Sequence, residues 1–443
     1  MSFTRYDEPL HQGGQKMKAI VDCNNFYCSC ERLFEPKLEN KPVIVLSNND
    51  GCIISRSNEA KKLGVEMAGP FFKAKPLVEK HGVAVFSSNY NLYGDLSWRV
   101  METLRILLGK NKVEVYSVDE AFLDLDIFPE QELEAIAGTI KQTVETWTGI
   151  KVSVGVAPTK VLAKVANRLS KKFVDQYKGV LVLHNEAEII SALQKTQVGD
   201  IWGVGHQYAA KLKEHFCIYD ALQLSRMSEE FGKTYLGGVV GARLIRELKG
   251  IHSADMEKEL VVKKMIATTR MFGSPVSDIK SIKEAVATYT SRAAEKLRRQ
   301  HSAASIITVF LVAKEEDHSA GFSRGDTHST YTILPAATCF TNELIKPAIR
   351  LADSLYKEGT LYKKAGVMLS GIVPDNSIQG NLFAATHKNH AHQLMDMIDN
   401  VNFSQRDDVL KFAAAGTERN WKMQQNFISN RYTTRWNELF EIQ

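Results

Sequence analysis

Several features of membrane, secreted and metal-binding proteins are missing from this 443-residue sequence. No apolar run reaches about 18 residues, the length that a membrane-spanning helix needs, and the polar start of the chain has no signal-peptide pattern. The six cysteines are too few for a disulfide framework and lack the paired spacing of a structural zinc site. We therefore predict a cytoplasmic protein with reduced, mostly buried thiols and no membrane partner.

Charge of one sign is also scarce, because 56 Lys and Arg against 51 Asp and Glu leave a net charge of only +5. The surplus lies in one segment, residues 256–373, which contains 17 basic and 12 acidic side chains. A localised basic segment indicates a polyanionic partner such as nucleic acid, although a solvated surface could carry the same surplus by chance.

The first half of the chain alternates strand and helix patterns. We predict a strand that ends at Asp22, a small α/β unit over 41–84, and strand character over 113–125 with a break at 118–121. A helix over 130–147 and a strand over 151–157 follow. An amphipathic helix then begins near Pro158 and carries a cationic stripe of Lys160, Lys164, Arg168 and Lys171.

The second half is organised differently. After a strand at 179–183, short helices are predicted over 186–250, interrupted by the tight segment "IWGVG" at 201–205. Residues 262–373 follow a βαββαβ order, with both helices expected on one face of a sheet. The first sixteen residues are predicted to be disordered and residues 374–443 to be weakly structured, and no internal repeat is present.

The segment "YSVDEAFLDL", residues 116–125, places Asp119 and Glu120 side by side in an apolar run. Adjacent side chains on a regular strand point to opposite faces, but at a turn or bulge they can converge. Converging carboxylates repel unless a proton or a cation lies between them, and Mg²⁺ prefers such ligands. Asp22, at the end of another strand, is a candidate third acid for a two-metal site; two surface acids on a solvated hairpin are the alternative.

A family resemblance accompanies these acids. "DCNNFYCSCE" followed by "YSVDEAFLDL" resembles the catalytic motifs of the Y-family translesion DNA polymerases. "SNNDGCIISRSNEAKKLGV", "FSSNYNLYGD", "GVAPTKVLAKVAN" and "RYTTR" are similar to the UmuC branch, which supplies the bacterial SOS mutagenic polymerase. The resemblance extends from about Met17 to Arg435.

The resemblance implies an α+β, multidomain right-hand polymerase with a C-terminal tail. Its implied parts are a lead-in (1–16), a catalytic palm (17–27 and 85–178), small fingers (28–84), a helical thumb with a helix-hairpin-helix (179–255), a DNA-binding little finger (256–373) and a partner-binding tail (374–443). The implied activity is error-prone, template-directed DNA synthesis across damaged DNA in the SOS response, by two-metal nucleotidyl transfer.

The same resemblance implies the site residues. Asp22, Asp119, Glu120 and the backbone carbonyl of Cys23 would bind two Mg²⁺ ions. Tyr27 would be the steric gate against ribonucleotides, or else an ordinary core tyrosine, and Phe26 would pack on the sugar or on the core. The triphosphate would be bound by Lys171 and, in place of the family's usual Tyr and Arg, by Asn58 and Lys61, with Arg56 as a substitute. The other lysines of the cationic stripe would be solvated or lie near DNA.

Contacts with DNA and proteins are implied in the second half. Gly203 and Gly205 of the hairpin would approach a phosphate, and Arg292, Lys296 and Arg299 lie on one helix face that either contacts phosphates or is simply solvated. "QGNLF" resembles a sliding-clamp peptide with Gln379, Leu382 and Phe383 as contacts. The remaining partners would be primer–template DNA, dNTPs, the UmuD′ dimer and the RecA filament, in the nucleoid.

Two other functions fit parts of the sequence. A catalytically inactive relative that only scaffolds a repair complex should have lost at least one of the three acids, and this chain keeps them all. A cyclase or transferase acting on free nucleotides would leave the hairpin, the basic segment and the clamp-like peptide without a purpose.

Overall fold

The structure, a computed structural model, describes residues 16–257, 262–314, 326–379, 390–405 and 408–439. The strands in chain order are β1 (Lys18–Cys23), β2 (Val43–Leu46), β3 (Ile53–Arg56), β4 (Ala84–Ser87), β5 (Val113–Val115), β6 (Glu120–Asp124), β7 (Val152–Ala157), β8 (Val180–Val182), β9 (Ile266–Val276), β10 (Ser302–Ala313), β11 (Thr327–Thr338) and β12 (Tyr362–Pro374). The helices are α1 (Phe26–Phe34), α2 (Asn58–Lys62), α3 (Phe71–Lys80), α4 (Tyr90–Leu108), α5 (Leu133–Thr148), α6 (Lys160–Lys172), α7 (Val174–Tyr177), α8 (Glu186–Gln194), α9 (His206–Phe216), α10 (Ala221–Ser225), α11 (Glu229–Tyr235), α12 (Val239–Leu248), α13 (Ile279–Arg299), α14 (Thr341–Leu355) and α15 (His390–Ser404).

A five-stranded sheet in the order β5-β6-β1-β7-β8 forms the centre of the first half. Strand β1 is antiparallel to both of its neighbours, and β8 lies parallel to β7 at the edge. Both faces of β1 are buried: Ala19 and Val21 belong to the core that includes α4 and α5, whereas Ile20 belongs to the core on the α6 side. Burial on both faces explains why these strands are almost continuously apolar.

A second, three-stranded sheet has the order β3-β2-β4 and its own small core with α2 and α3. Helices α8 to α12 then form a compact segment. In it, α11 and α12 touch backbone to backbone, because a Cβ on Gly232 would lie 2.5 Å from the carbonyl oxygen of Gly241. Glycine is required there for close packing.

The third sheet has the order β11-β10-β12-β9 and is antiparallel throughout. Helices α13 and α14 contribute to a single core beneath one face of it. The predicted βαββαβ order and the α+β class are confirmed. The predicted bounds of palm, fingers, thumb and little finger stay predictions; β8, which we assigned to the thumb, is the edge strand of the five-stranded sheet.

The prediction that residues 374–443 are weakly structured is wrong for much of this segment. Helix α15 buries Met395 in the core of the third sheet, and Trp421 is only 5% exposed in the same core. Residues 421–432, which we call the tail strap, continue from there across the three-stranded sheet to α1 and α4. The first fifteen residues lie outside the described part of the chain.

The tail strap is held mainly by hydrogen bonds to backbone and buried polar groups. The Gln424 amide donates to Asn49 Oδ1 (2.7 Å) and the Asn426 amide to Asp50 Oδ2 (2.8 Å). Phe427 and Ser87 bond through their backbones (2.9 Å), and Tyr432 stacks on Phe34 with ring centroids 4.6 Å apart. Composition did not reveal this role because polar residues that bind backbone resemble solvated ones in sequence.

None of the helices within the described ranges is both long and apolar enough to span a membrane.

Candidate active site

Strand pairing places two of the three predicted acids together. In the antiparallel register of β1 and β6, Asp22 lies directly opposite Glu120, so their side chains share one face. The Cys23 amide donates to the Asp119 carbonyl (2.8 Å), which holds the turn before β6 against the end of β1. The chain turns at 116–119 and delivers Asp119 to the same corner as the other two acids.

The electrostatics of the corner distinguish the paired acids. Burial raises the pKa of Asp22 to about 7, against the lowering effect of the nearby Lys171. Burial acts in the same direction on Glu120, but its hydrogen bond with Asp22 and its contact with Lys164 together lower the pKa of Glu120. Of the two paired acids, Asp22 therefore has the higher pKa.

Two ammonium groups from α6 meet these acids. Lys171 Nζ lies 2.5 Å from Asp22 Oδ1, and Lys164 Nζ lies 2.5 Å from Glu120 Oε1. Helix α6 approaches the sheet closely at Gly155 of β7, where a Cβ would lie 2.2 Å from the Asn167 amide nitrogen. This glycine allows α6 to hold both lysines over the ends of β1 and β6. We call Asp22, Asp119, Glu120, Lys164 and Lys171 the catalytic corner.

The donor chemistry of the corner fits a hard divalent cation. Three carboxylates lie at one edge, and the backbone of Cys23, the predicted carbonyl donor, is anchored beside them. In the described part of the chain no three His, Cys, Asp or Glu side chains are gathered closely enough to hold an ion. Lys171 and Lys164 pair with Asp22 and Glu120, so each of these two carboxylates already has a cationic partner.

Comparisons with known proteins match two separate parts of this chain. Residues 21–168 match the impB/mucB/samB family, and residues 263–382 match the C-terminal domain of that family. Protein UmuC of Salmonella typhimurium is 37% identical over 431 residues, which cover 96% of this chain and 100% of that protein. The chain belongs to this family. It is a UmuC-like Y-family polymerase, and hence a DNA-directed DNA polymerase of the translesion type.

A more distant relative and a solved structure also match most of this chain. DNA polymerase IV of Staphylococcus aureus (strain Newman) is 29% identical, over 77% of this chain and 97% of that protein. The solved Y-family chimera Dbh-Dpo4(243-245)-Dbh matches with a TM-score of 0.65 at 22% identity, covering 81% of this chain and 99% of that one. Residues 392–442 match a domain of unknown function.

The candidate gate of this Y-family polymerase lies next to the corner. Asn25 has a left-handed backbone (φ 47°) that lets α1 begin directly after β1. The Tyr27 ring stacks on Tyr93, with centroids 4.5 Å apart and planes 18° apart. Burial, and then Tyr90 and Asp119, raise the pKa of Tyr27 to about 12, so the phenol keeps its proton. Phe26 is only 3% exposed and belongs to the core, which favours the core alternative for this residue.

The remaining nucleotide candidates lie on the three-stranded sheet unit. Asn58 and Lys61 are exposed on α2. Arg56 donates to the Val65 carbonyl, which holds its guanidinium within its own unit. Their roles stay predictions.

The cationic stripe of α6 is only partly solvated, which corrects our interpretation of it. Lys160 is 4% exposed and donates to Glu114 Oε2 (2.6 Å) and to the Asp255 carbonyl (2.8 Å). Arg168 forms an ion pair with Asp200. Lys160 therefore stabilises the junction between α6 and the segment after α12.

The segment predicted as a hairpin, residues 201–205, contacts the turn that precedes Asp119. Gly203 (φ 93°) and Gly205 are exposed, and α9 begins after Gly205. Trp202 Nε1 donates to the Tyr116 hydroxyl (3.2 Å), and Lys164 Nζ lies 5.0 Å from the centroid of the Tyr116 ring. The Tyr116 ring therefore contacts both Trp202 of this segment and Lys164, the lysine that binds Glu120.

The basic face of α13 points toward C-terminal segments. Arg292 pairs with Asp408 (2.7 Å), and Arg299 pairs with Glu295 (2.6 Å). Burial, together with Arg270 and Lys263, lowers the pKa of Lys296. The intramolecular ion pairs weaken the prediction that Arg292 and Arg299 contact phosphates. Of the clamp candidates, Gln379 is exposed, and Leu382 and Phe383 lie outside the described residues.

Sequence reasoning missed three residues near the gate and the corner. Lys164 was assigned to solvent or DNA, although its spacing of seven from Lys171 places both on one face of α6. Glu31 and Tyr93 were not assigned at all. A glutamate within the apolar pattern of α1 was the available signal for a buried carboxyl.

Proposed function

We propose that this polymerase extends primers across damaged DNA with low fidelity, by two-metal nucleotidyl transfer, as part of the SOS response. The observation that supports the mechanism is the catalytic corner, where Asp22 and Glu120 lie opposite each other under two lysines and Asp119 lies in the adjoining turn. An inactive scaffold would have no need for all three acids.

Asp22, Asp119, Glu120 and the Cys23 carbonyl would hold two Mg²⁺ ions. Such a pair supplies charge stabilisation for the attacking and leaving oxygens of an in-line phosphoryl displacement. Asp22 must lose its proton to serve as a ligand, and the neighbouring Lys171 favours that ionised form. Lys164 likewise favours the ionised form of Glu120.

Lys171 would exchange Asp22 for the triphosphate of the incoming nucleotide, since both partners are anionic and its side chain is one-third exposed. Tyr27 would exclude a ribose 2′-hydroxyl by its bulk. Asn58 and Lys61 would contribute a weaker phosphate contact than arginine could, because an ammonium cannot form a bidentate fork. Phe26 would support the sugar pocket from the core.

DNA would be bound by the hairpin and the third sheet's domain. Exposed Gly203 and Gly205 leave room for a phosphate to approach backbone amides. Arg292, Lys296 and Arg299 would contribute to the positive field of residues 256–373 more than to direct contacts.

Protein partners would bind C-terminal to the little finger. Gln379, Leu382 and Phe383 would dock on the sliding clamp, and the UmuD′ dimer and the RecA filament would be further partners. A polymerase with these partners would work in the cytoplasm at the nucleoid.

Primer extension tests the proposal. Purified protein with Mg²⁺ and four dNTPs should extend a primer on undamaged and abasic templates, with clamp, UmuD′ and activated RecA added in turn. Asp119→Ala/Glu120→Ala should reduce extension by at least about 10³-fold, since metal-ion stabilisation contributes several kcal/mol. If wild type and double variant are equally inert under every addition while both bind DNA, the scaffold function replaces this one.

A further inference from the structure

A buried line of polar contacts connects the tail strap to the candidate gate. Glu31 of α1 is 1% exposed and lies at its centre. Its Oε1 accepts hydrogen bonds from the Tyr93 hydroxyl (2.5 Å) and from the Ser429 hydroxyl (3.0 Å). One carboxyl oxygen thus joins α4 to the tail strap.

The gate end of this line is a ring stack. Tyr93 is fully buried, and its ring forms the surface against which Tyr27 stacks. The hydroxyl oxygen lies on the axis of the tyrosine ring, so its hydrogen bond to Glu31 fixes the direction of that axis, and the packing around the fully buried Tyr93 ring restricts its plane. A fixed Tyr93 restricts Tyr27 in turn.

The strap end is fixed at a second point on α4. Asn89, the N-cap of α4, donates from Nδ2 to the carbonyl and the hydroxyl of Ser429 (3.0 Å each) and to the Asn430 carbonyl (3.2 Å). Ser429 therefore contacts both the start of α4, which bears Tyr93, and the carboxyl that orients the Tyr93 ring.

We propose that Ser429, Glu31 and Tyr93 are positioning residues for Tyr27, so that the tail strap sharpens the discrimination between deoxyribonucleotides and ribonucleotides. This inference rests on the proposed function, in which Tyr27 is the gate. It gives a role in the polymerase to part of a segment that matches a domain of unknown function.

The test measures kcat/KM for dCTP and for CTP in single-nucleotide primer extension by the full chain. Ser429→Ala and Tyr93→Phe should each lower the dCTP/CTP ratio by about 3- to 10-fold, the range expected for loss of one hydrogen bond. The change should appear as a rise in kcat/KM for CTP with little change for dCTP. General destabilisation would lower both values together.

Three further variants make the test specific. Ser429→Thr keeps the hydroxyl and should keep the wild-type ratio. Ser377→Ala removes an exposed serine hydroxyl that donates to its neighbour Asn376, and it should leave the ratio unchanged. In a Tyr27→Ala background, Ser429→Ala should have no further effect on the ratio, because the group that it positions is gone.

The outcomes separate the two proposals. If Tyr27→Ala lowers the ratio but Ser429→Ala and Tyr93→Phe leave it unchanged, the positioning role is refuted and the polymerase function stands. If Tyr27→Ala itself leaves the ratio unchanged, Tyr27 is not the gate and the positioning role fails with it. Absence of any extension by the wild type, with every partner added, overturns the proposed function as well.

Discussion

The catalytic corner and the contact between α1 and the tail strap each contain a buried carboxyl whose pKa is raised to about 7, chiefly by burial. Their partners differ. Asp22 faces Lys171 and Glu120, whereas Glu31 faces the neutral hydroxyls of Tyr93 and Ser429. Asp22, beside an ammonium group, is therefore suited to bind a cation, whereas Glu31, which accepts hydrogen bonds from hydroxyl groups, is suited to stabilise the packing around it.

The two kinds of partner differ in how easily they can move away from the carboxyl. Lysine side chains are long and partly exposed at the corner, so they can leave a carboxylate when a better cation arrives. Tyr93 is buried and Ser429 is fixed by Asn89, so neither can leave Glu31 without breaking other contacts. A raised pKa alone does not identify a catalytic group.

Among the single substitutions that test this comparison, the largest effect should come from Lys171→Met, which removes the ammonium group paired with Asp22. We expect kcat/KM for dNTPs to fall by about 10- to 100-fold, because a charge-assisted hydrogen bond to phosphate is lost. Steady-state primer extension measures it. Lys172→Met, at the next position, is the matched control and should stay near wild type; equal losses in both variants would contradict the assignment.

Glu31→Gln tests the second carboxyl of the comparison, the one between α1 and the tail strap. The folded wild type holds a proton on Glu31 up to about pH 7, whereas the unfolded chain releases it near pH 4.5. The stabilisation from this proton is complete below about pH 4.5 and is lost as pH rises through 7. Glutamine resembles the protonated form, so its advantage in unfolding free energy over wild type should grow by about 2–3 kcal/mol between pH 5 and pH 8.

Denaturant titrations of both proteins across that range measure this difference. The pKa of Asp22 is also raised, but it affects both proteins equally and cancels. A constant difference across the range would show that Glu31 is ionised in the folded protein at neutral pH.

Gly273→Ala should loosen the strap without touching either carboxyl. A Cβ there would lie 2.3 Å from the Lys422 carbonyl oxygen, so the strap must shift, at a cost of roughly 1–3 kcal/mol. Hydrogen exchange at the amides of Gln424 and Asn426 should become faster. Gly138→Ala on α5, where nothing lies within 4 Å, should leave those amides unchanged.

The smallest effect is expected from Arg299→Gln. Because Arg299 already pairs with Glu295, DNA affinity should change by less than about 2-fold and its salt dependence should stay the same. Fluorescence anisotropy at several salt concentrations measures both. A salt slope smaller by about one would show that Arg299 contacts a phosphate after all.

The sequence carried more information about the corner than about the strap. Asp22, Asp119 and Glu120 stand out because acids interrupt apolar strands, and the strand pattern predicts where those strands end. Ser429 and Glu31 have no such pattern, because their contact joins positions 398 residues apart through a tail whose polar composition resembles disorder. The ion pairs of Lys160 and Arg292 were missed for the same reason: the partner's position depends on tertiary packing.

The separation between Glu31 and Ser429 also has a consequence for biosynthesis. Glu31 is synthesised early, and its partner Ser429, 398 positions later in the chain, is synthesised only after the residues between them have been translated. A chain cut short by a premature stop codon or by a protease before the strap would keep all three acids and both lysines of the corner. The contact between Glu31 and Ser429 therefore forms only in a chain that has been translated through the tail strap.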